Sequence, residues 1–288
     1  MYPAGVANVH ARTISLATGI AIRVVESGPA AGAPVLLLHG WGGSAYMFRG
    51  GIDRLAAQGF RVLAPDLRGF GLSDKPTAAG SYTVAAFMAD VLALLNALDL
   101  PRVVLVGQSL GGGVALRCAI MHPERVAALA LVNPVGLSPL PYLGLIRLLP
   151  QSVLDALGPR AVPRWVTEFV LRRLAYADPR KVSEADVDEY WAPSQFAGYA
   201  HALRATMSDF DWSPVGAAEL ASLAPRTLVV LGDGDRLVSP EAAAKAAAAI
   251  PTAQVVALPG GHCVHEEQAD LVYPLIAKLA QKSKNQSS

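Results

Sequence analysis

The first half of the chain alternates short apolar runs with longer stretches of helical periodicity. Residues 12–16 and 21–25 alternate in polarity around Thr18-Gly19, which predicts an antiparallel hairpin at the edge of a sheet. Four later runs are almost entirely apolar, as expected of strands that are covered on both faces. These runs occupy residues 35–38, 61–64, 103–106 and 128–132.

Helical periodicity fills the intervals between these runs, at residues 44–58, 83–98 and 110–122. Strands that alternate with helices in this way predict an α/β fold, with a mostly parallel sheet and helices on both of its faces. The same rhythm returns near the end of the chain. There the predicted strands and helices occupy residues 227–231, 240–250, 254–258 and 266–281.

Between these two parts the pattern changes. No strand is evident from residue 136 to residue 212, and prolines interrupt a series of helical stretches, the clearest of them at residues 165–175. We therefore predict an eight-stranded core formed by residues 1–135 and 214–288, with an all-helical insert at residues 136–213.

The composition predicts a large buried core and excludes several kinds of partner. Hydrophobic residues make up 52% of the chain and charged residues 16%, which excludes a disordered protein. The net charge is +1 and no basic run occurs, so no nucleic-acid partner is expected. Prolines break the uncharged stretch 126–146, which argues against stable membrane insertion. Cys118 and Cys263 cannot form a disulfide framework and no targeting signal is evident, so we expect a cytoplasmic protein.

A glycine-flanked serine lies where a predicted strand passes into a predicted helix, in the segment Gly107-Gln108-Ser109-Leu110-Gly111. Small residues two positions before and after the serine allow a sharp turn between strand and helix. Such a turn lifts the hydroxyl to the carboxyl edge of the sheet, at a helix N-terminus. The context therefore predicts a nucleophilic serine, whereas a glycine-rich turn without chemistry is the alternative.

Five motifs in order resemble the α/β-hydrolase fold family, in the branch with a helical cap after the sixth strand. They are His39-Gly40-Trp41-Gly42, residues 66–73, the serine turn, residues 232–238 and Gly260-Gly261-His262. The resemblance covers nearly the whole chain. It implies a catalytic triad of Ser109 as nucleophile, His262 as base and Asp235 as the acid that orients the imidazole. It also implies an oxyanion hole formed by the backbone N–H groups of Trp41 and Leu110.

The family pattern decides between neighbouring candidates for the acid and the base. Its Gly-x-x-Asp-x-x-Val pattern favours Asp235, with Val238 in register, over Asp233, which is expected to be structural. His262 follows the last predicted strand through a pair of glycines. It is therefore favoured over His265, which is expected at the start of the closing helix, facing the cap or the solvent.

The cap is expected to supply a lipophilic pocket for an acyl or alcohol group. Candidate pocket residues are Tyr142, Trp165 and Phe169 in the cap and His39, Gln108 and Val238 in the core. For each cap residue, packing against the core is the alternative, and His39 is expected to be a hydrogen-bonded structural residue rather than a base. The favoured activity is the hydrolysis of short to medium, lipophilic carboxylic esters through an acyl-enzyme, without a cofactor.

Other activities stay open. A similar cap and triad occur in hydrolases of carbon–carbon bonds in ring-fission diketones, which need polar groups of the cap or core for a second carboxylate. Arg172, Arg173 and Arg204 are the candidates, and ordinary solvated charges are the alternative for each. A lactonase or haloperoxidase-like hydrolase is a further alternative, as is a small-molecule receptor that keeps a residual triad. Epoxide hydrolases and haloalkane dehalogenases use an aspartate nucleophile, and position 109 is serine.

No metal or nucleotide site is expected. The cluster His262-Cys263-x-His265 matches no closed zinc site, and Cys263 is expected to serve in packing. No glycine-rich loop precedes a Lys-Ser or Lys-Thr pair, so phosphate binding has no support. The expected partner is a small-molecule ester, and the expected oligomeric state is a monomer or homodimer.

Overall fold

A single sheet of eight strands forms the centre of the computed structural model, which describes residues 1–140, 153 and 157–284. The strands are β1 (Val9–Ser15), β2 (Ala21–Ser27), β3 (Ala33–Leu38), β4 (Phe60–Pro65), β5 (Val103–Gln108), β6 (Val126–Val132), β7 (Arg226–Gly232) and β8 (Ala253–Leu258). Their order across the sheet is β1-β2-β4-β3-β5-β6-β7-β8. Strand β2 pairs antiparallel with β1 and β4, and all other pairs are parallel. The predicted mostly parallel, eight-stranded α/β fold is therefore confirmed.

The helices lie in the intervals between strands. They are α1 (Ile52–Ala56), α2 (Val84–Ala97), α3 (Ser109–Met121), α4 (Arg164–Val170), α5 (Glu184–Trp191), α6 (Tyr199–Asp209), α7 (Ala217–Ala221), α8 (Pro240–Ala247), α9 (Val264–Glu267) and α10 (Ala269–Lys284). A π-helical turn, Leu171–Ala175, continues α4. Short 3₁₀ helices occupy Ala45–Phe48, Pro123–Arg125, Gly158–Ala161, Pro179–Lys181 and Ala192–Gln195. None of the described helices is both long and apolar enough to cross a lipid bilayer.

The strands bury side chains on both faces, because successive residues of a strand point to opposite sides of a sheet. On β3, Leu36 and Leu38 join one hydrophobic cluster, whereas Val35 and Leu37 join the other. Side chains of α2, α3 and α8 complete the first cluster, and side chains of α1, α9 and α10 complete the second. This covering on both faces explains why the central strands are apolar throughout.

Two predicted helices are shorter than expected. The one predicted at residues 44–58 is a 3₁₀ turn followed by α1, with a break at Gly50-Gly51. The break accommodates the ring of Tyr273, since a Cβ on Gly51 would lie 1.9 Å from a carbon of that ring. The closing helix predicted at residues 266–281 is divided into α9 and α10 at Gln268.

The described residues between β6 and β7 (133–140, 153 and 157–225) form helices and loops without a strand. We call this stretch the β6–β7 segment. Its helix α5 begins at a reciprocal cap, in which the side chains of Ser183 and Asp186 each accept from the other's backbone N–H. The predicted limits of the insert, residues 136 and 213, fall inside this segment and remain predictions.

Candidate active site

Ser109 lies where β5 passes into α3, and its backbone is left-handed. Its φ is 51°, in a region that costs a non-glycine residue on the order of 1–3 kcal/mol. The turn depends on two glycines that have no side chain to obstruct it. A Cβ on Gly107 would lie 2.3 Å from the carbonyl oxygen of Gly111, and one on Gly111 would lie 2.2 Å from that of Leu38. The chain thus places Ser109 at the carboxyl edge of the sheet, in the strained geometry of a sharp strand-to-helix turn.

Two backbone N–H groups near Ser109 have no acceptor among the described residues. The first belongs to Leu110, in the opening turn of α3, where helix amides have no partner within the helix. The second belongs to Trp41. Its neighbour Gly40 packs on the serine, since a Cβ there would lie 3.1 Å from the Cβ of Ser109. By contrast, the N–H of Gly111 donates to a backbone carbonyl at 3.1 Å. The amides of Trp41 and Leu110 therefore differ from that of Gly111 in having no acceptor among the described residues, and their role as an oxyanion hole stays a prediction.

His262 and Asp235 form a hydrogen-bonded pair, with 2.8 Å between Nδ1 and Oδ2. The other carboxylate oxygen, Oδ1, accepts from the N–H groups of Leu237 at 2.7 Å and Val238 at 3.0 Å. Because a carboxylate can only accept, Nδ1 carries the imidazole proton. In the neutral imidazole with this tautomer, Nε2 has the lone pair that a general base requires.

Asp233, the other candidate acid, has a different partner. It is exposed, and its Oδ1 accepts from the N–H of Gly260 at 3.2 Å. This bond closes the turn between β7 and the loop that carries His262. The carboxylate that pairs with the imidazole is therefore that of Asp235.

The loop that carries His262 is joined to the residue before Ser109. Gln108 is fully buried, and its Nε2 donates to the carbonyl oxygen of His262 at 3.1 Å. Ser109 and His262 make no hydrogen bond to each other in this conformation. Such contacts are often long without substrate and tighten when it binds.

Asn133, directly after β6, is a second support that the sequence reasoning missed. Its Nδ2 donates to the carbonyl oxygens of Gly261 at 2.9 Å and His262 at 3.0 Å, and its Oδ1 accepts from the N–H of Gly232 at 2.9 Å. The residue is fully buried and has a φ of 41°, a conformation that asparagine tolerates better than most residues. A lone polar residue at the end of an apolar strand, next to the serine strand, was the available signal.

His39 is fully buried, and backbone groups engage both of its ring nitrogens. Nε2 accepts from the N–H of Leu67 at 2.9 Å, so Nδ1 carries the proton and donates to the carbonyl oxygen of Gly40 at 2.7 Å. Burial lowers the pKa of this imidazole, because the charged form loses its hydration. His39 joins the end of β3 to Leu67 through these bonds, and its place in the lining of a pocket stays a prediction.

The other predicted pocket residues lie in different surroundings. Trp165 and Phe169 lie on α4, which buries none of its residues, and they are 68% and 54% exposed. Gln108 and Val238 are buried; the Gln108 side chain donates to the His262 carbonyl oxygen, and the Val238 backbone N–H donates to Asp235. That these four residues line a pocket stays a prediction. Tyr142 lies outside the described residues.

His265 is buried on α9, so it does not face the solvent, whereas its facing the cap stays a prediction. Its ring centroid lies 5.5 Å from that of Phe48. Burial lowers the pKa of His265 to about 4, and burial raises the pKa of the neighbouring Cys263 thiol. Across the part of the chain that the structure describes, no three His, Cys, Asp or Glu side chains are arranged to hold a metal ion.

Helix α6 of the β6–β7 segment fixes the loop that carries Trp41. The hydroxyl of Tyr199 donates to the carbonyl oxygen of Gly42 at 2.9 Å, and Nε1 of Trp41 donates to that of Leu203 at 3.1 Å. Burial raises the pKa of Tyr199, so its hydroxyl stays protonated and remains a donor. The position of the Trp41 amide thus depends on contacts with a distant part of the chain.

The sequence profile of the alpha/beta hydrolase fold family matches residues 33–269, from β3 to the start of α10. The chain belongs to the α/β-hydrolase family. All the site residues described above, from His39 to His265, lie within the matched part of the chain.

Curated relatives match the chain over different lengths. An uncharacterized protein of Mycobacterium tuberculosis is 46% identical over 118 residues, 41% of this chain and 33% of the relative. The match thus spans about a third of the length of that relative. The magnesium-chelatase 30 kDa subunit of Rhodobacter capsulatus is 31% identical over 255 residues, 86% of each chain.

Solved structures resemble the chain over nearly its whole length. A thermophilic esterase from Thermogutta terrifontis is 28% identical, with a TM-score of 0.78 over 95% of this chain and 99% of the esterase. The 2-hydroxy-6-oxo-6-phenylhexa-2,4-dienoate hydrolase from Rhodococcus strain RHA1 is 25% identical, with a TM-score of 0.77 over 95% and 99% of the two chains. These neighbours act on different substrates, so likeness of fold does not select one.

Proposed function

We propose that the hydrolase is a serine-dependent carboxylesterase that cleaves short to medium, lipophilic esters through an acyl-enzyme. Ser109 Oγ attacks the ester carbonyl carbon while Nε2 of His262 takes the hydroxyl proton. The N–H groups of Trp41 and Leu110 stabilise the negative oxygen of the tetrahedral intermediate, and each such donor is worth about 10²–10³ in rate. His262 then gives its proton to the alcohol, which leaves.

A second cycle of the same proton transfers releases the acid. Water enters in place of the alcohol, His262 takes one of its protons, and the hydroxide attacks the acyl carbonyl. The tetrahedral intermediate collapses, Ser109 regains its proton from His262, and the carboxylic acid leaves. Asp235 keeps the imidazole in the tautomer with Nε2 unprotonated and stabilises the imidazolium that forms in each step. The cycle needs no cofactor.

The strained backbone of Ser109 is the observation that carries this proposal. A left-handed serine between two obligatory glycines costs folding free energy, so a purely structural turn gains nothing from it. The Leu110 amide of this turn and the Trp41 amide of the loop after β3 have no acceptor among the described residues, and His262 is bonded to Asp235 through Nδ1. Nucleophilic acyl transfer uses all three features together.

The β6–β7 segment is proposed to act as the cap of the site. Its Tyr199 and Leu203 lie beside Gly42, in the loop after β3 that carries the Trp41 amide, which we call the oxyanion loop. A Cβ on Gly42 would lie 3.6 Å from Cδ2 of Leu203. This apolar surface favours an apolar group of the substrate next to the oxyanion loop. Hydrolysis of a diketone carbon–carbon bond has less support. Every guanidinium nitrogen of Arg172 is bonded to Glu168, Glu184 or backbone carbonyls, which leaves Arg173 and Arg204 as the candidate cations for a substrate carboxylate.

A panel of p-nitrophenyl esters from acetate to octanoate tests the proposal, with Ser109→Ala and Ser222→Ala compared to the wild type. Ser222 is exposed at the end of α7 and lies outside the proposed machinery, so it controls for the loss of a serine hydroxyl. Turnover that disappears in Ser109→Ala and persists in Ser222→Ala supports the esterase. Negligible wild-type turnover with tight binding of a small molecule supports a receptor and overturns it.

A further inference from the structure

Two adjacent carboxylates, Glu266 and Glu267, lie on the short helix α9. This helix follows the loop that carries His262, residues 259–263, which we call the base loop. The carboxylate of Glu267 is buried and accepts from three backbone N–H groups. Its Oε1 accepts from Gly261 at 2.5 Å and from Ala177 at 3.1 Å, and its Oε2 accepts from Ala177 at 3.2 Å and from Asp178 at 3.0 Å. One side chain thus bridges the residue before His262 and a loop of the β6–β7 segment.

Other contacts hold the same loop against the base loop. The N–H of Cys263 donates to the carbonyl oxygen of Ala175 at 3.0 Å, and Nζ of Lys181 donates to that of Glu267 at 2.6 Å. The approach is close, since a Cβ on Gly261 would lie 2.6 Å from both the Ala175 oxygen and the Ala177 nitrogen. The residues on both sides of His262 are therefore held by residues 175–178 of the β6–β7 segment.

Gly261 needs an external restraint, because a glycine backbone has more freedom than any other and transmits that freedom to the next residue. Hydrogen bonds to an ionised acceptor are about twice as strong as neutral ones, so a carboxylate is an effective restraint. We propose that Glu267 is a positioning residue that couples the placement of the β6–β7 segment to the orientation of the His262 imidazole. This coupling rests on the proposed function of His262 as the base.

The substitution Glu267→Gln tests the coupling without changing the size of the side chain. In either orientation, the amide NH₂ replaces one oxygen and faces N–H donors that it cannot accept from. We expect kcat to fall about 10–100-fold through misplacement of the base, with KM changed less than about threefold. A role in folding alone would lower the amount of active enzyme and leave kcat per titrated active site unchanged, which would overturn the proposal.

Glu266→Gln is the matched control, because Glu266 is also buried on α9 and also contacts the β6–β7 segment. Its carboxylate binds Arg49, the Tyr190 hydroxyl and the Cys263 thiol, and it accepts from none of the three backbone N–H groups that donate to Glu267. This variant should lose stability but keep kcat within about twofold of the wild type, since the base retains its supports. Equal losses of kcat in the two variants would contradict a specific role for Glu267.

Labelling of Ser109 by a fluorophosphonate separates failure of the coupling from failure of the esterase proposal. A wild type that labels at Ser109 but hydrolyses no ester overturns the substrate class alone, and slower labelling of Glu267→Gln still supports the coupling. A wild type that does not label overturns both. Should Glu267→Gln fail to fold, Lys181→Met removes an exposed contact to the same helix. We expect it to slow labelling measurably, and an unchanged rate would overturn the coupling.

Discussion

Replacement of Asp235 by asparagine tests how the acid controls the base. The two side chains have the same shape. The asparagine oxygen would keep accepting from the N–H groups of Leu237 and Val238, because an NH₂ group in that place would face two donors. The amide nitrogen would then take the place of Oδ2, 2.8 Å from Nδ1 of His262, and donate to it. The imidazole proton is thereby moved to Nε2.

In this tautomer Nε2 has no lone pair with which to take the proton of Ser109. In serine proteases, replacement of the triad aspartate by asparagine leaves the histidine in the wrong tautomer and lowers kcat about 10⁴-fold. We expect a similar loss here. That factor corresponds to about 5 kcal/mol of activation free energy. The free energy of unfolding should change little, because each hydrogen bond of Asp235 is replaced by another of the same length.

The assay is steady-state hydrolysis of the best p-nitrophenyl ester, with melting followed by circular dichroism. Asp233→Asn is the matched control, because it makes the same chemical change two residues away. The oxygen of the new asparagine would still accept from the N–H of Gly260. This control should retain wild-type kcat within about twofold. A kcat for Asp235→Asn above a tenth of the wild-type value would refute the reasoning.

Three further changes test the supports of the site. Asn133→Ala removes three buried hydrogen bonds at a φ of 41°, so the free energy of unfolding in urea should fall by about 3–5 kcal/mol; a fall below about 1 kcal/mol would contradict this. The pKa of His265 is about 4 in the folded protein and 6.5 in the unfolded chain. As the pH falls, the unfolded chain therefore binds the proton at a higher pH than the folded protein does. Wild-type stability should thus fall by about 3 kcal/mol more than that of His265→Phe as the pH drops from 6.5 to 4, and equal losses would argue against it. Tyr199→Phe frees the Gly42 carbonyl and should lower kcat about three- to tenfold, whereas unchanged kinetics would exclude a role in holding the oxyanion loop.

Features set by short stretches of sequence were predictable. The strands could be located because both faces of the sheet are covered, which makes each central strand an uninterrupted apolar run. The turn at Ser109 could be expected because only residues without a Cβ fit two positions to either side of it. The choice of Asp235 over Asp233 followed from the family pattern, and the structure pairs Asp235 with His262.

Features set by distant contacts could not be predicted. The helix expected at residues 44–58 is broken by the ring of Tyr273, which arrives from the far end of the chain. Asn133 and Gln108 donate to the carbonyl oxygen of His262, more than a hundred residues away in sequence. Their sequence neighbours do not indicate that partner. The exposure of Trp165 and Phe169 likewise depends on which face of α4 meets a neighbour. An aromatic residue in a helical pattern indicates that its side chain is buried, but it does not indicate whether that side chain lines a pocket.

Trapping of the acyl-enzyme tests the central claim most directly. The tryptic peptide of residues 103–117 contains Ser109 and no other hydroxyl, thiol or lysine side chain, so an acyl group found on it identifies the nucleophile. After rapid acid quenching of the enzyme with p-nitrophenyl acetate, mass spectrometry should find one acetyl group on this peptide and none in Ser109→Ala. Steady turnover with this peptide unmodified, or turnover that persists in Ser109→Ala, would contradict the mechanism.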